Sequence, residues 1–311
     1  YLFGRGIFDM KCGVATLMII LEELSKDIDN LEGNLIFAAV PDEEGNSGGM
    51  LTIVPELIKM REEYNYDYQA VIDTDYAAPR YIGDETRYVY VGTVGKLMPS
   101  FYVVGKETHV GEPYKGLDPN QIVAEITREF NLNTKYCDMA DGEVSLPPIT
   151  LRQQDLKPEY SVQIARSSYL YLNYATHSST PDRVMEKMIS GATIAFENAL
   201  NDINAQYKIY ADMNKYPYDK LPWEARVISY NDLLEKVREE RGQEVDDRVV
   251  ELSKKLKNDP NVDERLFALR LVEEVHNMWS DKDPVVVAYF SPPYYPHIFV
   301  KGDEPKEKNL L

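Results

Sequence analysis

Hydrophobic and polar positions in the first part of the chain follow two different periods. Residues 14–26 and about 50–64 carry apolar side chains at helical spacing, which predicts two amphipathic helices. Continuous apolar runs at 35–40 and 70–72 are bounded by turn residues and predict short buried strands. Residues 1–6 are expected to be the end of another strand that enters a tight glycine turn. This order predicts an α/β domain with a mainly parallel sheet flanked by helices.

The pattern changes after Tyr88. Residues 88–105 alternate apolar and polar side chains, which predicts longer strands in a partly exposed sheet. Helices are predicted over 119–130 and 181–203, and a strand over 161–175. The order strand, helix, strand, strand, helix, strand is typical of a ferredoxin-like α+β module, which we place at residues 89–230.

The remaining residues, 231–311, combine charged helices with one more buried strand. Residues 231–279 are predicted to be helical, and 284–290 form an apolar run typical of a core strand. A loop rich in proline and tyrosine follows. We therefore expect three segments, in which 1–88 and 231–311 form one domain and 89–230 is inserted between them.

Composition excludes several classes of partner. The net charge of -18 disfavours binding to nucleic acid, whose phosphates would be repelled, and disfavours an anionic membrane surface. The chain has no apolar stretch near the roughly 20 residues that span a bilayer. Its two cysteines, Cys12 and Cys137, are too few for a disulfide framework, so a cytoplasmic location is expected.

Carboxylates follow the predicted strands of the first domain. Asp9 lies in GRGIFDMKCG, Glu43 and Glu44 lie in PDEEGNSGG, and Asp75 lies in IDTDY. Because strand ends in open α/β sheets gather at one edge, we expect these four side chains to lie close together. Such a cluster needs a counter-cation, and zinc accepts carboxylate oxygen and histidine nitrogen. A glutamate beside the metal would then deprotonate a water molecule.

Each of these motifs is also typical of ordinary structure when it is taken alone. A glycine pair with an aspartate forms simple turns, adjacent glutamates are usually solvated, and an aspartate at a strand end forms Asx-turns. The first motif also lacks the third glycine of a dinucleotide-binding fingerprint. The residues by themselves therefore leave open both a plain acidic surface and an acidic metal site.

The motifs, in this order and spacing, resemble the M20 family of zinc aminopeptidases, carboxypeptidases and deacylases. GRGIFDMKCG resembles the family pattern GRGxxDMKGG, with Cys12 in place of a glycine, and PDEEGNSGG resembles DEExGSxG. GKETHVGEPYKG, residues 105–116, resembles the pattern GxxxHxxxPxxGxNA of the family's lid domain. The segments ETHVGEPYKGLDPN and PPYYPH are similar to the arginine-utilisation branch of that family.

The resemblance implies a role for each matched residue. Asp9 would bridge two metal ions, Glu44 and Asp75 would be further ligands, and Glu43 would be the general base, with one or two zinc ions as the cofactor. His109 would reach from the lid or dimerisation domain into the active site of a partner subunit and stabilise the tetrahedral intermediate. A homodimer is therefore expected.

Two departures from the family pattern concern histidine ligands. The family's HxD motif precedes the glycine motif by tens of residues, so we expect it to lie outside this sequence, and we expect truncation at the C-terminus as well. His297 is the local candidate for the last ligand, although its PPYYPH context differs from the family's. His177 is expected to be structural or at the surface, and His276 exposed on a charged helix. We therefore expect the chain as given to bind metal weakly.

These features together predict a metal-dependent hydrolase of amide bonds. The expected substrate is a small peptide or an N-acyl amino acid, cleaved by activated water. The alternative is a catalytically inactive M20-like protein with a binding or scaffold role.

Overall fold

The computed structural model describes residues 3–311, and the expectation for Tyr1 and Leu2 lies outside the described residues. The chain forms two compact units. The first consists of the described residues up to Val91 together with Val300–Leu311. The second is Gly92–Phe299.

Helices and strands are unevenly divided between the two units. The helices are α1 (Cys12–Ser25), α2 (Gly48–Tyr64), α3 (Pro119–Phe130), α4 (Pro181–Asn214), α5 (Tyr230–Arg241), α6 (Glu244–Leu256), α7 (Glu264–Met278) and α8 (Pro305–Leu310). The strands are β1 (Gly92–Thr93), β2 (Gly95–Leu97), β3 (Pro99–Val104), β4 (Met139–Ala140), β5 (Glu143–Val144), β6 (Ile149–Asp155), β7 (Ser167–Thr176), β8 (Val227–Ser229), β9 (Val285–Phe290) and β10 (Ile298–Phe299). All strands within the described range therefore lie in the second unit.

The first unit is a helical frame without a closed apolar core. Among its described residues only Gly13 and Asp84 are buried. The runs 35–40 and 70–72, expected to be buried parallel strands, are not strands in the structure, and Leu35 and Val71 in them are 52% and 83% exposed. A parallel strand is stable only with hydrogen-bonded neighbours and with both faces covered, and the described part of this unit supplies neither.

The second unit is built on a six-stranded mixed sheet. Four long strands run in the order β6, β7, β3, β9, and every one of these pairs is antiparallel. β2 also pairs with β7, and β8 extends the other edge by pairing in parallel with β9. β8–β9 is the one parallel pair among residues 3–311, so the mainly parallel sheet expected from the sequence is not what the described residues form.

Alternation along the strands gives this sheet two apolar faces. In β3, Phe101 and Val103 pack into one core with α3 and α4. Tyr102 and Val104 point to the opposite face and pack into a second core with α5, α6 and α7. Because successive side chains of a strand point to opposite faces, one strand supplies both cores, and the unit has helices on both faces of its sheet.

The helices of residues 231–279 pack with the second unit. Leu233 and Val237 of α5, and Leu269 and Val272 of α7, are buried against the second face of the sheet. β9 then completes the sheet beside β3. The pattern of a charged amphipathic helix indicates an apolar stripe but does not indicate which surface the stripe covers, so the packing of this segment is seen only in the structure.

One general property follows from the helices. Within the described part of the chain, none of them combines the length and the apolar character needed to cross a membrane.

Candidate active site

The first acidic motif lies directly before α1 and contacts the IDTDY segment. Asp9 has an extended backbone, with φ −117° and ψ 92°, so the chain turns there before the helix begins. The Phe8 and Tyr76 rings have centroids 4.6 Å apart. A Cβ on Gly13 would lie 2.5 Å from the Thr74 hydroxyl oxygen, so only glycine allows this approach. The first and third motifs are therefore adjacent.

The second motif is a tight loop that leads into α2. Asp42 has a left-handed backbone with φ 68°, and its carboxylate accepts a hydrogen bond from Gly48 N–H at 3.1 Å. A Cβ on Gly45 would lie 2.3 Å from the same carboxylate. These constraints fold the loop around Asp42 and leave Glu43 and Glu44 exposed beside it.

Arg5 links the first two motifs. Its guanidinium donates hydrogen bonds to Glu44 Oε1 and, at 3.4 Å, to Asp9 Oδ2. The hydrogen bond to Glu44 and its charge, followed by those of Asp9, raise the pKa of Arg5 above its usual value. This cation was not anticipated from the sequence, although its place between two glycines, four residues before Asp9, is the signal that could have identified it.

Glu43 lies within the electrostatic field of the whole acidic cluster. Burial raises the pKa of its carboxyl, and the charges of Glu44, Asp75, Asp9 and Asp73 raise it further, in that order. The charges of the other three predicted carboxylates, and that of Asp73, therefore act on Glu43. A carboxylate with a raised pKa accepts a proton more readily than an ordinary glutamate.

The residues present fit a divalent cation in chemistry but not as a finished site. Carboxylate oxygens are suitable ligands for zinc and harder cations. Yet within residues 3–311 no three His, Cys, Asp or Glu side chains are arranged to hold a metal ion. The guanidinium of Arg5 instead neutralises Asp9 and Glu44.

His109 lies in the second unit, on an exposed loop after β3. Its Nδ1 accepts a hydrogen bond from Gly111 N–H at 3.0 Å. An Nδ1 that accepts cannot carry the proton, so the neutral imidazole carries it on Nε2. Gly105 and Gly116 allow the loop to close, since a Cβ on either would lie 2.2 Å and 2.4 Å from backbone oxygens. The loop therefore presents Nε2–H as a hydrogen-bond donor.

The other histidines have different surroundings. His297 is also in the second unit, half-buried, with Nδ1 3.4 Å from Thr176 Oγ1. His276 is fully buried, which corrects the expectation that it is exposed. It is spaced seven and four residues after Leu269 and Val272, both of which are buried, so the helical period could have placed it on the inner face of α7.

The chain matches a known family along most of its length. The model of peptidase family M20/M25/M40 matches residues 1–283. Protein RocB of Bacillus subtilis is 34% identical over 310 residues, which are 100% of this chain and 54% of RocB. The uncharacterized protein YqjN of the same organism is 31% identical over 304 residues, or 98% of this chain and 54% of YqjN.

A third relative has a named activity. The succinyl-diaminopimelate desuccinylase of Blochmanniella floridana is 23% identical over 215 residues, which are 69% of this chain and 48% of that enzyme. The chain thus spans about half the length of these curated relatives.

Proposed function

The chain belongs to peptidase family M20/M25/M40, and on this premise we propose that it is a metal-dependent hydrolase of amide bonds. Two observations support the proposal: the charges of Glu44, Asp75 and Asp9 raise the pKa of Glu43, and Arg5 contacts both Asp9 and Glu44. Neighbouring carboxylates are costly unless a cation or a proton neutralises part of their charge, and a divalent cation bound there, with an unprotonated carboxylate as base, would activate water.

Each carboxylate has a distinct role in this proposal. Asp9, Glu44 and Asp75 would hold one or two divalent ions, with zinc as the proposed metal. When bound, the metal supplies a Lewis acid and lowers the pKa of water. Glu43 removes the proton from the attacking water and passes it to the leaving amine, which its raised pKa favours. His297 is proposed as a further metal ligand, although its Nδ1 already lies near the Thr176 hydroxyl.

His109 is proposed to reach into the active site of a partner subunit and to stabilise there the negative charge that develops on the substrate oxygen. The Gly111 N–H on Nδ1 leaves the proton on Nε2, where it can be donated. A preorganised donor of this kind gains strength as charge builds up in the transition state.

We propose that residues 89–230 act as the lid or dimerisation domain of a homodimer. β6 pairs only with β7 in the described part of the chain, so it is an edge strand, and we propose that a second copy contacts the unit along this edge. Light scattering at micromolar concentration tests this, and a monomer would contradict it.

The proposed substrate is a small peptide or an N-acyl amino acid. A relative is named as a desuccinylase, and removal of a succinyl group from an amine cleaves an amide bond. A cytoplasmic location is proposed as well, because Cys12 and Cys137 are both free thiols.

The direct test compares the purified protein with Glu43→Gln. Zinc content is measured together with hydrolysis of a panel of dipeptides and N-acyl amino acids. Loss of the base is expected to lower kcat about a hundredfold or more while metal stays bound. The matched control is Glu63→Gln, which makes the same neutral replacement at an exposed position of α2. An active Glu43→Gln variant would refute the role of Glu43.

One observation favours a second candidate function, an inactive binding or scaffold protein. The described side chains do not form a complete metal-binding set, and Arg5 already neutralises two of the carboxylates. A protein that takes up no zinc, cobalt or manganese and cleaves nothing on the panel would establish this alternative over the hydrolase.

A further inference from the structure

His109 lies in a loop, residues 106–117, whose two ends are joined to each other. Lys106 N–H donates to Leu117 O at 2.8 Å, and Leu117 N–H donates back to Lys106 O at 2.9 Å. This closed base fixes where the loop leaves β3. The residues farther out are held by further contacts.

The first half of this loop, which contains His109, is hydrogen-bonded to the segment at residues 162–164. Backbone hydrogen bonds of 3.0 Å run from Val110 N–H to Val162 O and from Ile164 N–H to Thr108 O. These bonds hold the main chain on either side of His109. The direction of the imidazole additionally depends on the Nδ1 hydrogen bond, which exists only while the next turn of the loop keeps its shape.

The second half of the loop, which contains Tyr114, is held by contacts between aromatic rings. The Tyr114 ring stacks on Tyr207 of α4, with centroids 4.2 Å apart and an angle of 14° between the planes. Tyr210 lies 5.5 Å from Tyr114, and Tyr218 meets Tyr207 edge to face at 5.3 Å. The Tyr218 hydroxyl donates to the buried Asn204 at 3.2 Å. A continuous series of contacts therefore joins the loop to α4.

A cavity of about 690 Å³ adjoins the second half of the loop. It is lined from the loop by Pro113, Tyr114 and Gly116, and from α4 by Asp202, Ile203 and Gln206. The turn after His109 is closed by its own hydrogen bonds, from Glu112 N–H to His109 O at 2.8 Å and from Lys115 N–H to Glu112 O at 3.0 Å. Tyr114 directly follows this turn, and its stack on Tyr207 anchors that end of the turn to α4 beside the cavity.

We propose that Tyr114 and Tyr207 are positioning residues that hold the loop so that the His109 imidazole keeps one tautomer and one direction. An effect of this positioning on turnover rests on the proposed function, in which Nε2–H of His109 donates to the substrate. The positioning of the imidazole does not rest on the proposed function, because it is a property of the loop and can be observed without substrate.

The first test is spectroscopic and uses the full chain. The protein has four histidines, so their imidazole ¹H–¹⁵N signals can be resolved, and His109→Gln identifies the one from His109. In the wild type, that signal should report a proton on Nε2. Tyr114→Leu and Tyr207→Leu should give a mixture of both tautomers, whereas Tyr114→Phe and Tyr207→Phe, which keep the ring, should match the wild type.

The second test is kinetic. An aromatic pair of this kind corresponds to roughly two- to tenfold in an equilibrium, so the two leucine variants should lower kcat by about that factor with little change in KM. The phenylalanine variants should restore it. Tyr216→Leu, an exposed residue just after α4, is the control and should change neither readout.

The outcomes separate the two claims. Leucine variants that keep the His109 tautomer signal of the wild type overturn the positioning role, whatever their activity. If His109→Gln turns over substrate as fast as the wild type, the proposed role of His109 in the reaction fails. In that case a shifted tautomer in the leucine variants still supports the positioning role.

Discussion

Arg5 and Glu44 form an ion pair between motifs that lie 39 residues apart in sequence, and the same guanidinium also contacts Asp9. The pair places a fixed positive charge between two carboxylates that are proposed to bind metal. An arginine cannot give up its proton near neutral pH, so it competes with any divalent cation for these oxygens. The acidic cluster is thus partly neutralised by the chain itself.

Replacing Arg5 with glutamine should tighten metal binding. The variant removes the competing cation, and the two pairs are exposed, so the gain should be modest, about three- to tenfold in the dissociation constant. Calorimetric titration with zinc or cobalt measures it. Arg61→Gln, which removes the same charge from α2, should leave the affinity unchanged. Weaker binding by Arg5→Gln would mean that Arg5 supports the metal site rather than competing for it.

Asp138 anchors the turn between β7 and α4. One oxygen of its carboxylate accepts hydrogen bonds of 2.8 Å from three successive backbone N–H groups, those of His177, Ser178 and Ser179. The Ser179 hydroxyl donates to the other oxygen at 2.7 Å. Burial alone would raise the pKa of Asp138, but these donors outweigh it and hold the pKa well below its usual value.

Asp138→Asn should therefore destabilise the second unit. The amide accepts fewer of these hydrogen bonds, and we expect a loss of about 1–3 kcal/mol in the free energy of unfolding at pH 7. Because the folded pKa is depressed, the stabilisation is present above the unfolded value and is lost as pH falls below about 4. The difference between wild type and variant should shrink over that range in urea titrations. Asp141→Asn, exposed in the same loop, should have no such effect.

Gly191 allows α4 to pack closely against the end of α3. A Cβ at this position would lie 2.4 Å from the Tyr136 hydroxyl and 2.5 Å from the Phe130 ring. Gly191→Ala gains helix propensity but must displace both rings, so we expect a net loss of about 1–3 kcal/mol. Ser190→Ala changes propensity at the exposed neighbouring position and should be close to neutral in thermal unfolding. Equal stability of the two variants would contradict the tight packing.

The sequence predicted the elements of the second unit better than their arrangement. The helix expected over 119–130 is α3, and the strand pattern of 88–105 contains β2 and β3. Alternation in β3 also fixes which side chains share a face. The pairing of β3 with β9 was not predictable, because the two strands are far apart in sequence and no local pattern specifies a partner.

Prediction of the candidate site shows the same division. The motifs predicted that Glu43 lies near Asp9, Glu44 and Asp75, and in the structure the charges of these residues raise the pKa of Glu43. Arg5 was missed because a single exposed cation has no periodic signature. Tyr114 and Tyr207 were missed because aromatic stacking between a loop and a helix depends on tertiary packing alone.

His276 should make the stability of the second unit depend on pH. Its ring is fully buried against Tyr102, at 5.6 Å between centroids, and Trp279, at 6.3 Å, and neither ring nitrogen has a hydrogen-bond partner among residues 3–311. Burial lowers the pKa of His276 to about 4; Lys282 and Arg166 lower it as well, Asp281 opposes this, and Arg226 adds to it. The charged form is therefore excluded from the folded protein near neutral pH.

The sign of the effect follows from proton linkage. Between about pH 6.5 and pH 4 the unfolded chain binds a proton at this histidine that the folded protein does not, so stability falls as pH decreases through that window. The loss approaches about 3 kcal/mol at the lower end. His276→Leu should remove most of this slope in denaturant titrations at several pH values, and His177→Leu, at a half-buried position, should retain it. Parallel pH profiles for wild type and His276→Leu would show that the buried imidazole takes up its proton without unfolding, through a rearrangement that brings an acceptor or water to the ring.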